Sequence, residues 1–251
     1  MSELPRFIFP ESDESSQYSQ SLVQALRESP IPEQDLAANL GLYLPGYSVR
    51  RILWLYELYQ KILTVPGYVF DLGTRYGQNL VLFRQFHEIL EPGNATRAFF
   101  GFDTFTGLTP PAEQDGTAAC ANEGVYATPE NYEEHLQKVI SIHEGRLDTK
   151  GQIQRAFTVP GDASVTLEQF LEENPHALCA LVYFDFDIYQ PTKRCLELLK
   201  PRLGKGSIIA FDELVVTEFP GETVALMETL DLKSYQLKRT SWSHCWSFLV
   251  C

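Results

Sequence analysis

The sequence is short of positive charge: 20 Lys and Arg stand against 33 Asp and Glu, a formal net charge of −13 over 251 residues. A nucleic-acid binder needs a basic face to meet phosphates, so no nucleic acid is expected as a partner. An anionic membrane surface is disfavoured for the same reason. Long apolar runs are also missing, and a spanning helix would need about 18 consecutive apolar residues. The opening "MSELPRFIFPESDESSQYSQ" has early acids and lacks the apolar segment of a secretory signal. Cysteine is sparse: Cys120, Cys179, Cys195, Cys245 and Cys251 are odd in number, and no Cys-x-x-Cys pair occurs. A disulfide framework or thiolate zinc site is therefore not expected, and reduced thiols in a cytoplasmic protein are. No internal repeat or long low-complexity tract interrupts the chain.

What is present is an alternation of short apolar runs and helical patterns. "SVRRILWLYELYQKIL" (48–63) places Ile52, Leu53, Tyr56, Leu58, Tyr59 and Leu63 on a broad apolar face, with Ser48 as a cap. Strands are predicted at 67–73, 97–103, 153–162, 177–186 and 206–214, with helices at 78–90, 164–174, 191–203 and 223–230 between or after them. Segments 235–242 and 245–251 suggest a closing antiparallel pair. Thr128 and Pro129 read as the cap and first residue of a further helix. The expected fold class is α/β: a doubly wound, mainly parallel seven-stranded sheet of the Rossmann-like kind, with N-terminal helices. Residues 1–66 form the expected helical extension, and 67–251 the main domain. A lid-like insertion is expected at about 107–150, where Gly, Pro and small residues are dense. The extension is expected to cover a pocket or to pack a homo-oligomer.

Ligands of such a sheet lie at the carboxyl ends of its strands. There, "VFDLGTRYGQN" (69–79) supplies a strand, a glycine turn and a helix start. The spacing Gly73-x-x-x-Gly77 is not the Gly-x-Gly-x-x-Gly of a pyrophosphate cradle, which disfavours a nicotinamide-dependent oxidoreductase. S-adenosylmethionine suits the turn better: it has no phosphate, its ammonium needs acids or water held by acids, and Gly73 lets it lie against backbone. Asp71, Asp103 and Asp162 each follow an apolar strand. Asp103 stands where an acid can accept both ribose hydroxyls, and Asp162 where an adenine edge can be read. The alternative is that these aspartates are turn residues or helix caps.

In order and spacing, "FDLGTRYGQN", "FFGFDTFTGL", "TVPGDASVTL", "YFDFDIYQPT" and "GSIIAFDEL" resemble class I methyltransferases of the macrocin O-methyltransferase type, over about residues 68–230. The resemblance implies an S-adenosylmethionine-dependent enzyme that methylates a hydroxyl of a sugar or other small natural product. It also implies a magnesium ion held by carboxylates. The cofactor set is Asp71, Gly73, Thr74, Arg75, Asn79, Asp103, Thr104, Phe105, Asp162, Ala163 and Asp185. The chain departs from the family at 212–214, where Asp-Glu-Leu replaces the usual Asp-Asp-Tyr.

First, fourth and fifth strands are neighbours in such a sheet, so Asp71, Asp185 and Asp212 should share one crevice, with Asp187 and Glu213 close by. Crowded carboxylates repel unless protonated or bridged by a cation, and hard oxygen ligands select magnesium or a similar divalent ion. Asp185, Asp212 and Glu213 are the expected ligands. Without an ion the enzyme needs a general base, for which Asp187, His135 and His143 are candidates. The bland reading makes Asp187 a helix cap and Glu213 a solvated acid. "EFPGET" (218–223) is expected to line the acceptor pocket, or to be only a turn. A non-catalytic binding module on the same fold is the remaining alternative.

Overall fold

The computed structural model describes residues 13–147, 154–243 and 245–251. The polar opening segment up to residue 12, the end of the 107–150 insertion and His244 lie outside the described residues. Strands β1 (Tyr68–Leu72), β2 (Phe99–Asp103), β3 (Ala156–Pro160), β4 (Cys179–Phe184), β5 (Leu203–Phe211), β6 (Gln236–Arg239) and β7 (Ser247–Val250) make one sheet in the order β3-β2-β1-β4-β5-β7-β6. The first five run parallel, and β7 lies antiparallel between β5 and β6. This is the expected doubly wound sheet. Its order reverses between β1 and β4, so the crevice opens there.

Strand alternation divides the core into two layers. From β1 and β4, Phe70, Leu72, Val182 and Phe184 point to one face. There they meet α6 (Ala163–Glu173), α7 (Tyr189–Leu199) and α8 (Pro220–Thr229). Val69, Ala180 and Tyr183 point to the other face, against α3 (Gly46–Lys61), α4 (Gln78–Leu90) and α5 (Tyr132–Leu147). Both faces are covered, which is why the parallel strands read as continuous apolar runs rather than alternating ones. Ahead of α3, α1 (Asp13–Arg27) and α2 (Glu33–Leu36) lie apart from this core, and among the described residues none before Trp54 is buried.

Several local expectations shift. Helix α3 begins at Gly46 after Pro45, so Ser48 lies inside it and is not its cap. Its buried stripe is Trp54, Leu55, Leu58 and Tyr59, continued by Ile62 just past its end, whereas Leu53, and Leu63 beyond the helix, are exposed. Thr128 does not cap α5, which starts later at Tyr132; its hydroxyl instead donates to the Phe105 carbonyl. Helix α5 packs on β3 as part of the core layer, so it is no lid. Among the described residues of the insertion, those that line the cleft belong to the segment before it.

The sheet end opposite the crevice is tied by Arg97, whose side chain is 1% exposed. Its guanidinium donates to the carbonyls of Ile62, Val65 and Gly67 and pairs with Glu91 at 2.8 Å. Removing it would leave Glu91 and three carbonyls buried without their cation. Arg97→Ala should lower stability by about 3–5 kcal/mol in urea denaturation. A loss below about 1 kcal/mol would refute this role.

Candidate active site

At the carboxyl ends of the strands lies a cleft of about 430 Å³. Turn residues after successive strands build one wall: Gly73, Thr74 and Arg75 after β1, Asp103 and Thr104 after β2, Gly161, Asp162 and Ala163 after β3. The chain passes closest at Gly73, where φ is +92° and an added Cβ would stand 2.0 Å from the Asp185 carbonyl oxygen. Glycine is thus required on two counts, a left-handed backbone and contact with the neighbouring strand end. Asp103 is held in place by the turn around it: its carboxylate accepts the backbone N–H of Arg75 at 2.8 Å and of Phe105 at 2.7 Å. Asp162 caps α6 by accepting the Ser164 N–H at 2.8 Å, and it also lines the cleft. The cap reading and the ligand reading are therefore compatible for this residue. Arg75 reaches over the cleft with its guanidinium between the rings of Tyr76 (4.7 Å) and Tyr126 (4.9 Å).

The opposite wall carries the acids. Asp185, Asp187 and Glu213 each bring a carboxylate oxygen to within 4.8 Å of the others. Burial, followed by repulsion from Asp187 and Asp212, pushes Glu213 well above the ordinary carboxyl range. Burial and then Asp212 do the same to Asp185. Asp187 is pushed up by burial as well, against a hydrogen bond from Glu213 that lowers it. Beneath them Glu222, fully buried, accepts the N–H groups of Phe186 and Glu213 at 3.3 and 3.4 Å. Asp187 has φ +64°, a left-handed conformation that a non-glycine residue adopts at a cost. It does not cap α7, whose flanking residue is Ile188. Glu213 is buried rather than solvated, and its Oε2 has no hydrogen-bond partner.

Among the described residues, the cation in contact with these acids comes from outside the motifs. Arg51 of α3 donates to Asp185 Oδ2 and to Asp212 Oδ1, each at 2.6 Å, and its Nε donates to Asn79 Oδ1 at 3.3 Å. The Tyr183 hydroxyl donates to the same Asp212 oxygen at 2.5 Å. Arg51 stands three and four residues before Trp54 and Leu55, on the buried stripe of the helix. That spacing is the sequence signal that could have revealed it.

The other expected residues divide. Asn79, Thr74, Arg75, Thr104, Ala163, Asp185, Asp187, Asp212 and Glu213 line the cleft. Asp71 does not: it is fully buried, burial raises its pKa to about 6, and its oxygens accept from Thr74 (2.5 Å) and Asn79 (3.2 Å). It can reach a ligand only by orienting those two side chains. Phe105 turns into the core beside α5 and lies off the cleft. His135 and His143 sit on α5, His135 exposed, and neither lines the cleft, because that helix is committed to the sheet edge. "EFPGET" leads into α8 and contributes Glu222 from below rather than a pocket wall. Of the aromatics, Tyr126 lines the cleft, whereas Tyr47 is exposed and Tyr43 bonds Ser29.

Gly73→Ala should cost about 3 kcal/mol or more, by the combined strain of a positive φ and a backbone clash. It should also displace Asp185 and abolish cofactor binding, read by denaturant midpoint and calorimetry. Native-like values for both would show the strand ends are not in tight contact.

Comparison with family models and with curated proteins finds no match. Solved structures do match. The crystal structure of the calicheamicin methyltransferase CalS11 is 37% identical with a TM-score of 0.92, covering 96% of this chain and 93% of that one. An apo structure of CalS11, described as a TDP-rhamnose 3'-O-methyltransferase of calicheamicin biosynthesis, is 35% identical over 96% of this chain and 95% of that one, TM-score 0.84. The O-methyltransferase NovP shares the fold, with 18% identity over 94% of this chain and 98% of that one, and a TM-score of 0.57. The chain belongs to the class I S-adenosylmethionine-dependent sugar O-methyltransferases, the macrocin O-methyltransferase type that its motifs resemble.

Proposed function

We propose that this methyltransferase acts on a hydroxyl of a sugar, free or carried on a nucleotide or natural product, with the help of a divalent cation. The observation that carries the reading is the group of half-buried Asp185 with buried Asp187 and Glu213, with an unpartnered Glu213 oxygen, set in the same cleft as the glycine turn and Asp103. The action of CalS11 on TDP-rhamnose supports a sugar acceptor. S-adenosylmethionine supplies an electrophilic methyl group on a sulfonium. Asp103 accepts the ribose hydroxyls, and Thr74 and Asn79, oriented by Asp71, face the amino-acid end.

The acids fit a hard divalent ion, which would supply positive charge to lower the pKa of the acceptor hydroxyl. Asp185, Asp187 and Glu213 would hold it, and Asp212 is the further ligand once free of Arg51. Asp187 would take the hydroxyl proton as the acceptor oxygen attacks the methyl carbon and the methyl–sulfur bond breaks, leaving the cofactor as a thioether. Tyr126 and the 107–109 segment close the cleft over the acceptor. The helical extension belongs to the enzyme's wall through Arg51. Its exposed Leu40, Leu42, Leu44 and Tyr47 support a homo-oligomeric assembly. A metal-free reaction is the second reading, favoured by one observation: Arg51 already places a cation between Asp185 and Asp212.

Exhaustive chelation should abolish turnover and leave S-adenosylhomocysteine binding intact, with magnesium restoring activity. Turnover undiminished by chelation would establish the Arg51 reading instead. Asp103→Asn should weaken S-adenosylhomocysteine binding by about 1–3 kcal/mol in calorimetry, because the charge-assisted acceptor is lost. Unchanged affinity would make Asp103 a turn residue alone.

A further inference from the structure

Arg51 and a divalent ion would serve the same carboxylates. The guanidinium spans Asp185 and Asp212 at 2.6 Å on each side, and Asp185 is one of the three acids drawn together for a cation. Around it stand Asp71, Asp187, Glu213 and Glu222, all buried. Arg51 is the cation in direct contact with this group among the described residues. Two cations on one carboxylate lie within about 5 Å of each other and repel strongly where water is scarce.

We propose that Arg51 is a resident counter-cation, which the divalent ion displaces from Asp185 and Asp212 when the site is loaded. The proposal rests on the metal-assisted reading above. Geometry allows the exchange. The Arg51 side chain is 21% exposed, so it reaches solvent without unfolding α3. In this bridging position Tyr183 and Trp246 flank its guanidinium at 5.6 and 5.5 Å. In the resting enzyme the guanidinium neutralises part of the acid group and keeps the strand ends from being driven apart. In the loaded enzyme its departure releases Asp212, the ligand expected from the sequence. Metal affinity is thereby set from the N-terminal helix, by a coupling that works equally in both directions. Arg51 is a positioning residue in this scheme, acting on the ion site through the carboxylates it holds.

The test is a titration of the full chain with manganese, following free ion by electron paramagnetic resonance, for wild type, Arg51→Met and Arg51→Lys. Arg51→Met should bind manganese at least tenfold more tightly than wild type. Arg51→Lys should fall between them, since one ammonium cannot bridge both acids as the planar fork does. A rise in melting temperature with S-adenosylhomocysteine shows that each variant is folded. If the methionine variant does not fold, the lysine variant and the wild-type Arg51 guanidinium resonance decide. That resonance should shift when magnesium is added. Equal or weaker manganese binding in the variants would overturn the proposal and leave the metal reading intact. No binding in any of the three proteins would overturn both.

Discussion

The structure turns on where to put acids that a parallel sheet delivers to one end. Asp185 and Asp212 end adjacent strands, and Asp187 and Glu213 follow within two residues. Two like charges 4 Å apart cost about 4 kcal/mol at an effective dielectric of 20. Such a group persists only if protons, hydrogen-bond donors or cations offset the repulsion. All three occur here: raised pKa values on Asp185, Asp187 and Glu213, the Tyr183 hydroxyl as donor to Asp212, and the Arg51 guanidinium. Each relieves part of the repulsion, and Glu213 retains an unpartnered oxygen.

That constraint explains how the cleft's two walls differ. On the wall built by the glycine turn, acids are spaced one per strand tip and satisfied locally, Asp103 by two turn amides and Asp162 by the start of α6. Those carboxylates are rigid and can recognise a ligand without one being needed for their own stability. On the opposite wall the acids are clustered, Asp185, Asp187 and Glu213 bringing carboxylate oxygens within 4.8 Å of one another. A wall of that kind would change charge state on meeting a cation or a proton, as the proposed reaction requires. The strained backbone of Asp187 belongs to this wall, consistent with a side chain aimed for chemistry rather than for capping.

The rest of the molecule keeps the two walls in register. Gly73 brings the end of β1 against the end of β4, so the cofactor turn and Asp185 are fixed relative to each other. Arg97 secures the opposite end of the sheet. Helix α3 carries Arg51 into the cleft on the same face that buries Trp54 and Leu55 against the core. The N-terminal extension is thus a structural part of the site.

The sheet was legible in the sequence because both of its faces are buried, and continuous apolar runs ending in acids mark such strands unambiguously. That Gly73, Asp103 and Asp162 would line one cleft was legible for a related reason: they occupy fixed offsets from those strands. Helix starts were read less well at Ser48 and Thr128, where a hydroxyl suggested a cap but preceding prolines and tertiary bonds decided the boundary. His135 and His143 were misplaced because periodicity predicts a helix without saying which surface it packs on. Arg51 was missed for the deepest reason. Its partners, Asp185 and Asp212, lie 134 and 161 residues away. Local propensity and motif spacing carry no information at that range. Only the tertiary structure, by laying α3 across the ends of β4 and β5, decides which cation the acids meet.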